Sequence, residues 1–267
     1  MTADRWTQGV RHQLGLGRFL PLGLALDGTW ITEEAAGSVL RREAAAVAGV
    51  RLGALRIALA DPESAGEPAV PPPPSALPPG PLRVTADFGV SADPTAAGAE
   101  PLPAVAARLR LTVVSAATRL LGLDVAEVDL RVTDLLEDSP HPPDGARETP
   151  TAIPADTGTA EGGASRRPAA LPKDPEEARI AAAASAVPGV TRLTDVLGRP
   201  VHVEIPRATD PALPRRHIRI ELAVSGDERT ADVARAVRAA VTEAAQDAPS
   251  VAVLVTAVTP PHPSPRR

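Results

Sequence analysis

The sequence predicts an α+β protein built from two pseudo-repeated αββαβ modules with proline-rich linkers. Three observations lead to this prediction. Apolar residues alternate with a period of two in two separate stretches, which is typical of strands with one buried face. An apolar stripe at helical spacing follows each stretch, as in a helix that packs on a sheet. Two segments rich in Pro, Gly, Ser and acidic residues lack such periodicity and indicate linkers.

These features divide the 267 residues into five parts. A chain of this length is expected to hold about two domains of roughly 100–200 residues each. The parts are an N-terminal amphipathic stretch (1–30), a first module (31–136) with a proline-rich loop (61–81), a disordered linker (137–175), a second module (176–259) and a disordered tail (260–267).

Each module opens with a helix that ends in similar residues. Residues 46–50 read AVAGV and residues 186–190 read AVPGV. Glycine suits the position just after a helix, where the backbone often turns left-handed. A first strand follows, which we expect at 52–59 in one module and 201–205 in the other.

The remaining three elements of each module also correspond. The period-two strands contain Val84, Ala86, Phe88 and Val90, and Ile218, Ile220, Leu222 and Val224. The helical stripes contain Val105, Leu109, Val113 and Leu120, and Val233, Val237, Val241 and Ala244. Closing strands are predicted at 125–135 and 251–258. We therefore expect two copies of one module, packed together as a pseudo-dimer.

Composition excludes several classes of function. The chain has no Cys, which excludes disulfides, thiolate nucleophiles and Cys-ligated metals and fits a reducing compartment. No apolar run approaches the ~20 residues of a membrane-spanning helix, and no signal peptide is evident, so we expect a cytoplasmic protein. The net charge of −5, without a basic face, predicts no nucleic-acid partner.

Few residues suggest catalysis or metal binding. The five histidines are His12, His141, His202, His217 and His262, of which His141 and His262 lie in proline-rich segments. His202 and Glu204 share one strand face, which leaves open a small-molecule enzyme that uses this pair; a polar sheet face is the favoured interpretation. No nucleophile elbow or P-loop is present. We predict no catalytic residue, no metal and no cofactor.

The N-terminal stretch has two interpretations. Apolar Trp6, Val10 and Leu14 recur every four residues near several arginines, with Phe19 close behind. Residues 5–20 could form an amphipathic helix on a membrane surface. An extra helix on the first module is favoured, because glycines weaken a free helix. Further on, Thr32 is a natural N-cap, and the acidic pair after it suits the helix dipole.

The first module resembles the alkaline-shock, or envelope-stress response, family. That family has an aromatic-Gly pair at the end of a strand, where this chain has Phe88-Gly89, and it closes on an apolar strand like residues 125–135. The P-G-V that ends the family's first helix stands at 188–190. The chain has Asp129 where the family usually has Asn, and the second module lacks the aromatic-Gly pair. The single lysine among 28 basic residues is typical of a high-GC genome such as an actinobacterium's.

The resemblance implies a protein without enzyme activity. Members of that family self-associate, accumulate under envelope stress and work at the cytoplasmic face of the membrane through a membrane-anchored partner. By this resemblance we expect an interaction or scaffold protein with a protein partner and self-association. We expect Phe88 and Gly89 to be structural, and Trp6 and Phe19 to be docking anchors.

Overall fold

The computed structural model describes residues 15–91, 100–136, 174–204 and 216–262. The predictions for Trp6, His12, His141, most of the linker and the end of the tail lie outside these ranges. The described elements are β1 (Phe19–Pro21), β2 (Thr29–Thr32), α1 (Glu33–Ala44), β3 (Val50–Leu59), a 3-10 turn (Pro62–Ser64), β4 (Leu82–Ser91), α2 (Leu102–Ala116) with a π-helical extension (Ala117–Leu121), β5 (Val125–Leu136), α3 (Pro175–Ser185), β6 (Val190–Leu193), β7 (Val201–Glu204), β8 (His217–Ser225), α4 (Thr230–Ala244) and β9 (Ser250–Thr259). The fold is α+β, as predicted.

The strands form two sheets. In the smaller sheet the order is β3-β4-β5, with β3 antiparallel and β5 parallel to β4. In the larger sheet β9 is parallel to β8, and β6 and β7 together line the other side of β8 in antiparallel orientation. The larger sheet then continues beyond β9 with β2 and β1. A helix joins β4 to β5 and β8 to β9, as consecutive parallel strands require a crossover connection.

One continuous apolar core holds the two halves together. It contains side chains from all four helices and from both sheets. Helix α1 contacts β3 of the smaller sheet and β9 of the larger one, so it links the two. Most of the helical stripes predicted from the sequence is buried here, including Leu109 and Val113 in α2 and Val233 and Val237 in α4. Small aliphatic side chains therefore supply most of the packing.

The helix ends follow from local chemistry. Thr32 caps α1, because its Oγ1 accepts a hydrogen bond from the Ala35 backbone N–H at 3.1 Å, as predicted. Asp174 caps α3 in the same way, through the N–H of Glu176. After both opening helices the chain turns at a glycine with positive φ, Gly49 and Gly189. Only glycine adopts that left-handed backbone without strain.

The closing strands of the two halves carry a bulge at matching positions. In β5 the pairing with β4 skips Thr133, since Phe88 pairs with Val132 and Gly89 with Asp134. In β9 the pairing with β8 skips Thr256 in the same manner, between Val255 and Ala257. A bulge inserts one extra residue and bends the strand.

The helix predicted at Trp6, Val10 and Leu14 lies outside the described residues, and short strands follow it. Residues 19–21 and 29–32 form β1 and β2, and β2 pairs with β9 of the second half. The predicted boundary at residue 30 therefore falls inside a strand. Such short strands carry too little periodicity to be recognised in the sequence.

The proline-rich loop 61–81, which the sequence indicates as a linker, has little regular structure but packs across the outer face of the larger sheet. The Phe19 N–H donates to the Ser75 carbonyl oxygen, and the Leu77 N–H donates to the Phe19 carbonyl oxygen at 2.8 Å. Val70 is 5% exposed, in a small apolar cluster with Phe19 and Trp30. Residues 65–80 thus cover β1 and part of this face.

Candidate functional site

Phe19 and Phe88, two of the residues singled out in the sequence, are packed inside the fold. Phe88 is 1% exposed and lies in the main core, and Gly89 is buried beside the bulge of β5. Both residues are therefore enclosed by the fold, and the structural role expected for them stays a prediction. Phe19 is 2% exposed. It therefore holds the chain's own loop 61–81, and it offers no surface on which a partner could dock.

The structure extends the predicted His202–Glu204 pair into a polar patch. Both side chains belong to β7, and the strand register places His202 opposite Arg219 and Glu204 opposite His217. Ser250 of β9 pairs with His217 from the other side. The sequence pattern could not show this, because β7, β8 and β9 are separated along the chain.

His217 is the centre of this patch. Its Nδ1 lies 2.8 Å from the Ser250 Oγ. Burial lowers the pKa of His217, while the carboxylate of Glu204 acts in the opposite direction. A neutral imidazole beside a hydroxyl is one of the parts of a nucleophilic site. His217 is buried, however, so a substrate would reach it only if neighbouring residues moved.

Glu221 is a buried carboxylate on the same face of β8. Its Oε2 accepts a hydrogen bond from the Leu197 N–H at 2.9 Å, and Arg219 lies 3.6 Å from its Oε1. Burial raises the pKa of Glu221 to about 7. The hydrogen bond from the Leu197 N–H and the charge of Arg219 act in the opposite direction and lower this pKa. Sequence reasoning missed this residue, because the alternation in β8 only marks it as facing outward; residues 194–200 cover it.

A small cavity lies beside α1. It has a volume of about 170 Å³ and is lined by Gly15, Gly17, Glu33, Glu34, Arg41, Leu55 and Arg56. Glu33 is turned inward, and its Oε1 accepts a hydrogen bond from the Ile57 N–H at 2.9 Å. Its other oxygen faces the Arg18 N–H at 3.4 Å. Both oxygens therefore serve the backbone, in addition to the helix-dipole role predicted from the sequence.

Strand β5 has one open edge. Within the described residues it pairs only with β4, although it is 12 residues long. Val132 is 42% exposed and Leu135 is 61% exposed along it. The Arg110 Nε donates a hydrogen bond to the Val128 carbonyl oxygen at 3.1 Å. A long edge strand with exposed apolar residues is a ready template for another strand.

The corresponding edge of the larger sheet is covered. Strand β9 pairs with β2, and the Val253 N–H donates to the Gly28 carbonyl oxygen at 3.0 Å. Val255, at the position that corresponds to Val132, is completely buried. Arg238 corresponds to Arg110 in helical position, but its Nε is buried and has no hydrogen-bond partner among the described atoms.

The other sheet edges are protected in several ways. Residues 75–77 lie along β1, where Phe19 and Ala76 form an isolated bridge. Glu33 occupies the Ile57 N–H of β3, and a register shift interrupts that strand between Leu52 and Leu55. The edge opposite β1 is formed by β6 and β7, which are four residues each. Such short or covered edges resist further pairing, so β5 is the most open edge in the described structure.

Two features are absent from the described residues. No group of three or more His, Asp or Glu side chains is arranged to hold a metal ion within these ranges. None of the helices that the structure describes has the length and apolarity needed to cross a membrane.

The chain was also compared with known proteins. It matches no model of a protein family, no curated protein and no solved structure. The resemblance to the alkaline-shock family therefore depends on the residues quoted above.

Proposed function

We propose that this chain is a non-enzymatic interaction or scaffold protein of the alkaline-shock, envelope-stress type. In this proposal it acts in the cytoplasm and binds a protein partner, which can be anchored in the membrane. The observation that carries the proposal is the open edge of β5, where an unpaired strand edge in the described structure presents Val132 and Leu135 to solvent. Strand addition at such an edge is a common mode of protein recognition.

We further propose that the two halves are copies of one module. The support is local. Each half has an antiparallel strand and a parallel strand on either side of its central one. The bulges at Thr133 and Thr256 match, and both opening helices end with the same backbone hydrogen bonds, from Val47 N–H to Ala44 and from Val187 N–H to Ala184. The proline-rich linker at 137–175 belongs to the same proposal.

The contrast between the halves is what suggests a binding role. In the second half, β9 is completed by β2, whereas β5 in the first half has no such strand in the described ranges. If the module needs a strand at this place to bury its apolar edge, then the first half can accept a strand from elsewhere. Main-chain hydrogen bonds would give affinity, and contacts with alternate side chains of β5 such as Val132 would give specificity.

Site-specific photo-crosslinking tests this proposal. A photoreactive amino acid is placed at Val132 on the β5 edge, and the matched control is placed at Ala58 on β3 of the same sheet. We expect Val132 to give a discrete crosslinked protein in cells, and Ala58 to give much less. Equal crosslinking at both positions, or none at Val132, would overturn the proposal.

An enzyme remains a second candidate because of one observation, the 2.8 Å contact between His217 and Ser250 opposite Glu204. A fluorophosphonate probe labels serines that an adjacent base activates. Labelling of the wild type that is lost on Ser250→Ala and on His217→Ala, but kept on Ser225→Ala, would favour a hydrolase. We expect no labelling of Ser250, since the non-enzymatic proposal requires none.

Binding to a membrane surface through residues 5–20 is less supported. Phe19 and Leu20, which belong to this segment, are buried in the larger sheet. They are therefore not free to enter a lipid surface in this fold. Residues 5–14 lie outside the described ranges, and liposome co-sedimentation with a chain that lacks them tests this alternative.

A further inference from the structure

We infer that the partner of the β5 edge is a second copy of this chain, with the two β5 strands antiparallel about a two-fold axis at Leu130. The two smaller sheets would then continue across the dimer as one six-stranded sheet. This inference rests on the proposed function, which makes the β5 edge a docking site, and it names the occupant.

The sequence of β5 is complementary to itself in this register. With Leu130 on the axis, Asp129 of one copy lies opposite Arg131 of the other. The two-fold axis generates a second, identical pair. Both side chains are exposed on the outer face of the sheet. Opposite charges that face each other across antiparallel strands stabilise the pair, whereas like charges destabilise it.

The inner face is complementary in the same register. Val128 of one copy lies opposite Val132 of the other, and Leu130 lies opposite itself. Val132 faces the same side of the sheet as Phe88, with which it pairs. The exposed edge of the core in one copy would therefore be covered by the same edge of the other, as in an interface between identical surfaces.

Adjacent registers are much less favourable. An axis at Asp129 places that carboxylate against its own copy, and an axis at Arg131 places two guanidinium groups against each other. The strand thus specifies one antiparallel register by its charges. Without such charges, strand pairing along an edge slips easily.

The second half shows how the edge changes when a strand occupies it. There β2 covers β9, and Arg238 Nε has no hydrogen-bond partner within the described ranges. In the first half Arg110 Nε still donates to the Val128 carbonyl oxygen. Pairing of a second β5 at residues 128–132 would require Arg110 to release this oxygen. The Arg110 Nε would then have no hydrogen-bond partner within the described ranges, as is found for the Arg238 Nε.

Charge reversal with rescue tests the inference. In the full chain, Arg131→Asp places two carboxylates opposite each other at both pairs, and Asp129→Arg places two guanidinium groups there. We expect light scattering to give twice the 27.4 kDa chain mass for the wild type and about the mass of one chain for each variant. Arg51→Asp, on the outer face of β3, is the matched control and should remain dimeric.

Mixing the two variants provides the decisive measurement. The Arg131→Asp strand carries a carboxylate at both positions, and the Asp129→Arg strand carries a guanidinium group at both. Each therefore complements the other variant and repels its own copy, so native mass spectrometry of an equimolar mixture should show mixed dimers and few homodimers. The contacts within each chain do not change on mixing. Recovery of dimers on mixing therefore cannot come from a repaired fold. Far-UV circular dichroism of each variant before mixing checks that it is folded.

Three outcomes would overturn the inference. The wild type could remain at the mass of one chain at every concentration, both single variants could dimerise as well as the wild type, or Val132 could crosslink to residues 1–14 or 137–173 of its own chain. If Val132 instead crosslinks to a different protein, the second copy is excluded while the interaction role stands. If it crosslinks to nothing, both fail.

Discussion

Gly122 lies against Ala231, so the end of the first half's second helix and the start of the second half's last helix approach more closely than two side chains allow. A Cβ atom on Gly122 would stand within 3.0 Å of the Ala231 Cβ. Gly122 also has a φ of 87° and ends the π-helical extension of α2. This glycine is required both by the turn and by the contact between halves.

We expect Gly122→Ala to lower the free energy of unfolding by about 2–5 kcal/mol. The left-handed backbone costs an L-residue roughly 1–2 kcal/mol, and overpacking typically adds about 1–3 kcal/mol. Gly198→Ala is the control, because Gly198 has a φ of 111° but has open space around it. Urea denaturation measures both, and equal losses in the two variants would contradict the role of the Ala231 contact.

Glu33→Ala should destabilise the chain by about 1–3 kcal/mol, because it leaves the buried N–H of Ile57 without an acceptor. Glu34→Ala, at the exposed neighbouring position, should have little effect. Hydrogen exchange of the Ile57 amide is the direct measurement. Unchanged protection of this amide in Glu33→Ala would show that the carboxylate does not hold it.

Glu221 should make stability fall as pH rises. Its pKa is about 7 in the folded chain, above the ordinary value of 4.5. The folded state therefore binds more protons than the unfolded state between these values, and the contribution of Glu221 is lost as pH rises from about 4.5 through 7. The contribution of Glu221 to the free energy of unfolding that is lost over this range is up to about 3 kcal/mol.

Glu221→Gln isolates this effect. His217 acts in the opposite direction, because its folded pKa is lowered and its contribution to stability increases as pH rises towards 6.5. The difference between wild type and Glu221→Gln in urea denaturation, measured from about pH 5 to about pH 8, removes the His217 contribution. A difference that does not change with pH would contradict the raised pKa.

Val70→Ser should loosen loop 61–81 from the larger sheet. It puts a hydroxyl into the apolar cluster with Phe19 and Trp30, at a cost of about 1–3 kcal/mol. We expect faster proteolysis within 61–81 and a red shift of the tryptophan emission, to which Trp30 contributes. Glu67→Ser, at an exposed position of the same loop, should match the wild type.

Residues with clear periodicity were predicted well. The stripe that contains Val105 and Leu109 forms α2, and the alternation of Ile218 and Ile220 forms β8, since in each case one face meets the core. The N-cap at Thr32 was also confirmed. In each of these places local residues alone determine the structure.

The rest depends on contacts between distant parts of the chain. Strand β6 is four residues long and was not predicted. Glu221 lies on the outward face of β8, and the sequence gives no sign that residues 194–200 cover it. The open edge of β5 was missed for the same reason, because a strand's neighbours cannot be read from its own residues. Its signal in the sequence was the apolar inner face of residues 128–135 beside alternating charges.

The union of β2 with β9 affects how the chain can fold during translation. Thr32 Oγ1 donates to the Thr256 carbonyl oxygen, a contact that spans 224 residues. At typical rates of synthesis, residues 29–32 wait on the order of ten seconds or longer before their partner strand leaves the ribosome. The smaller sheet needs no such delay and can form early, so chaperones would meet a nascent chain whose leading segment is still unpaired.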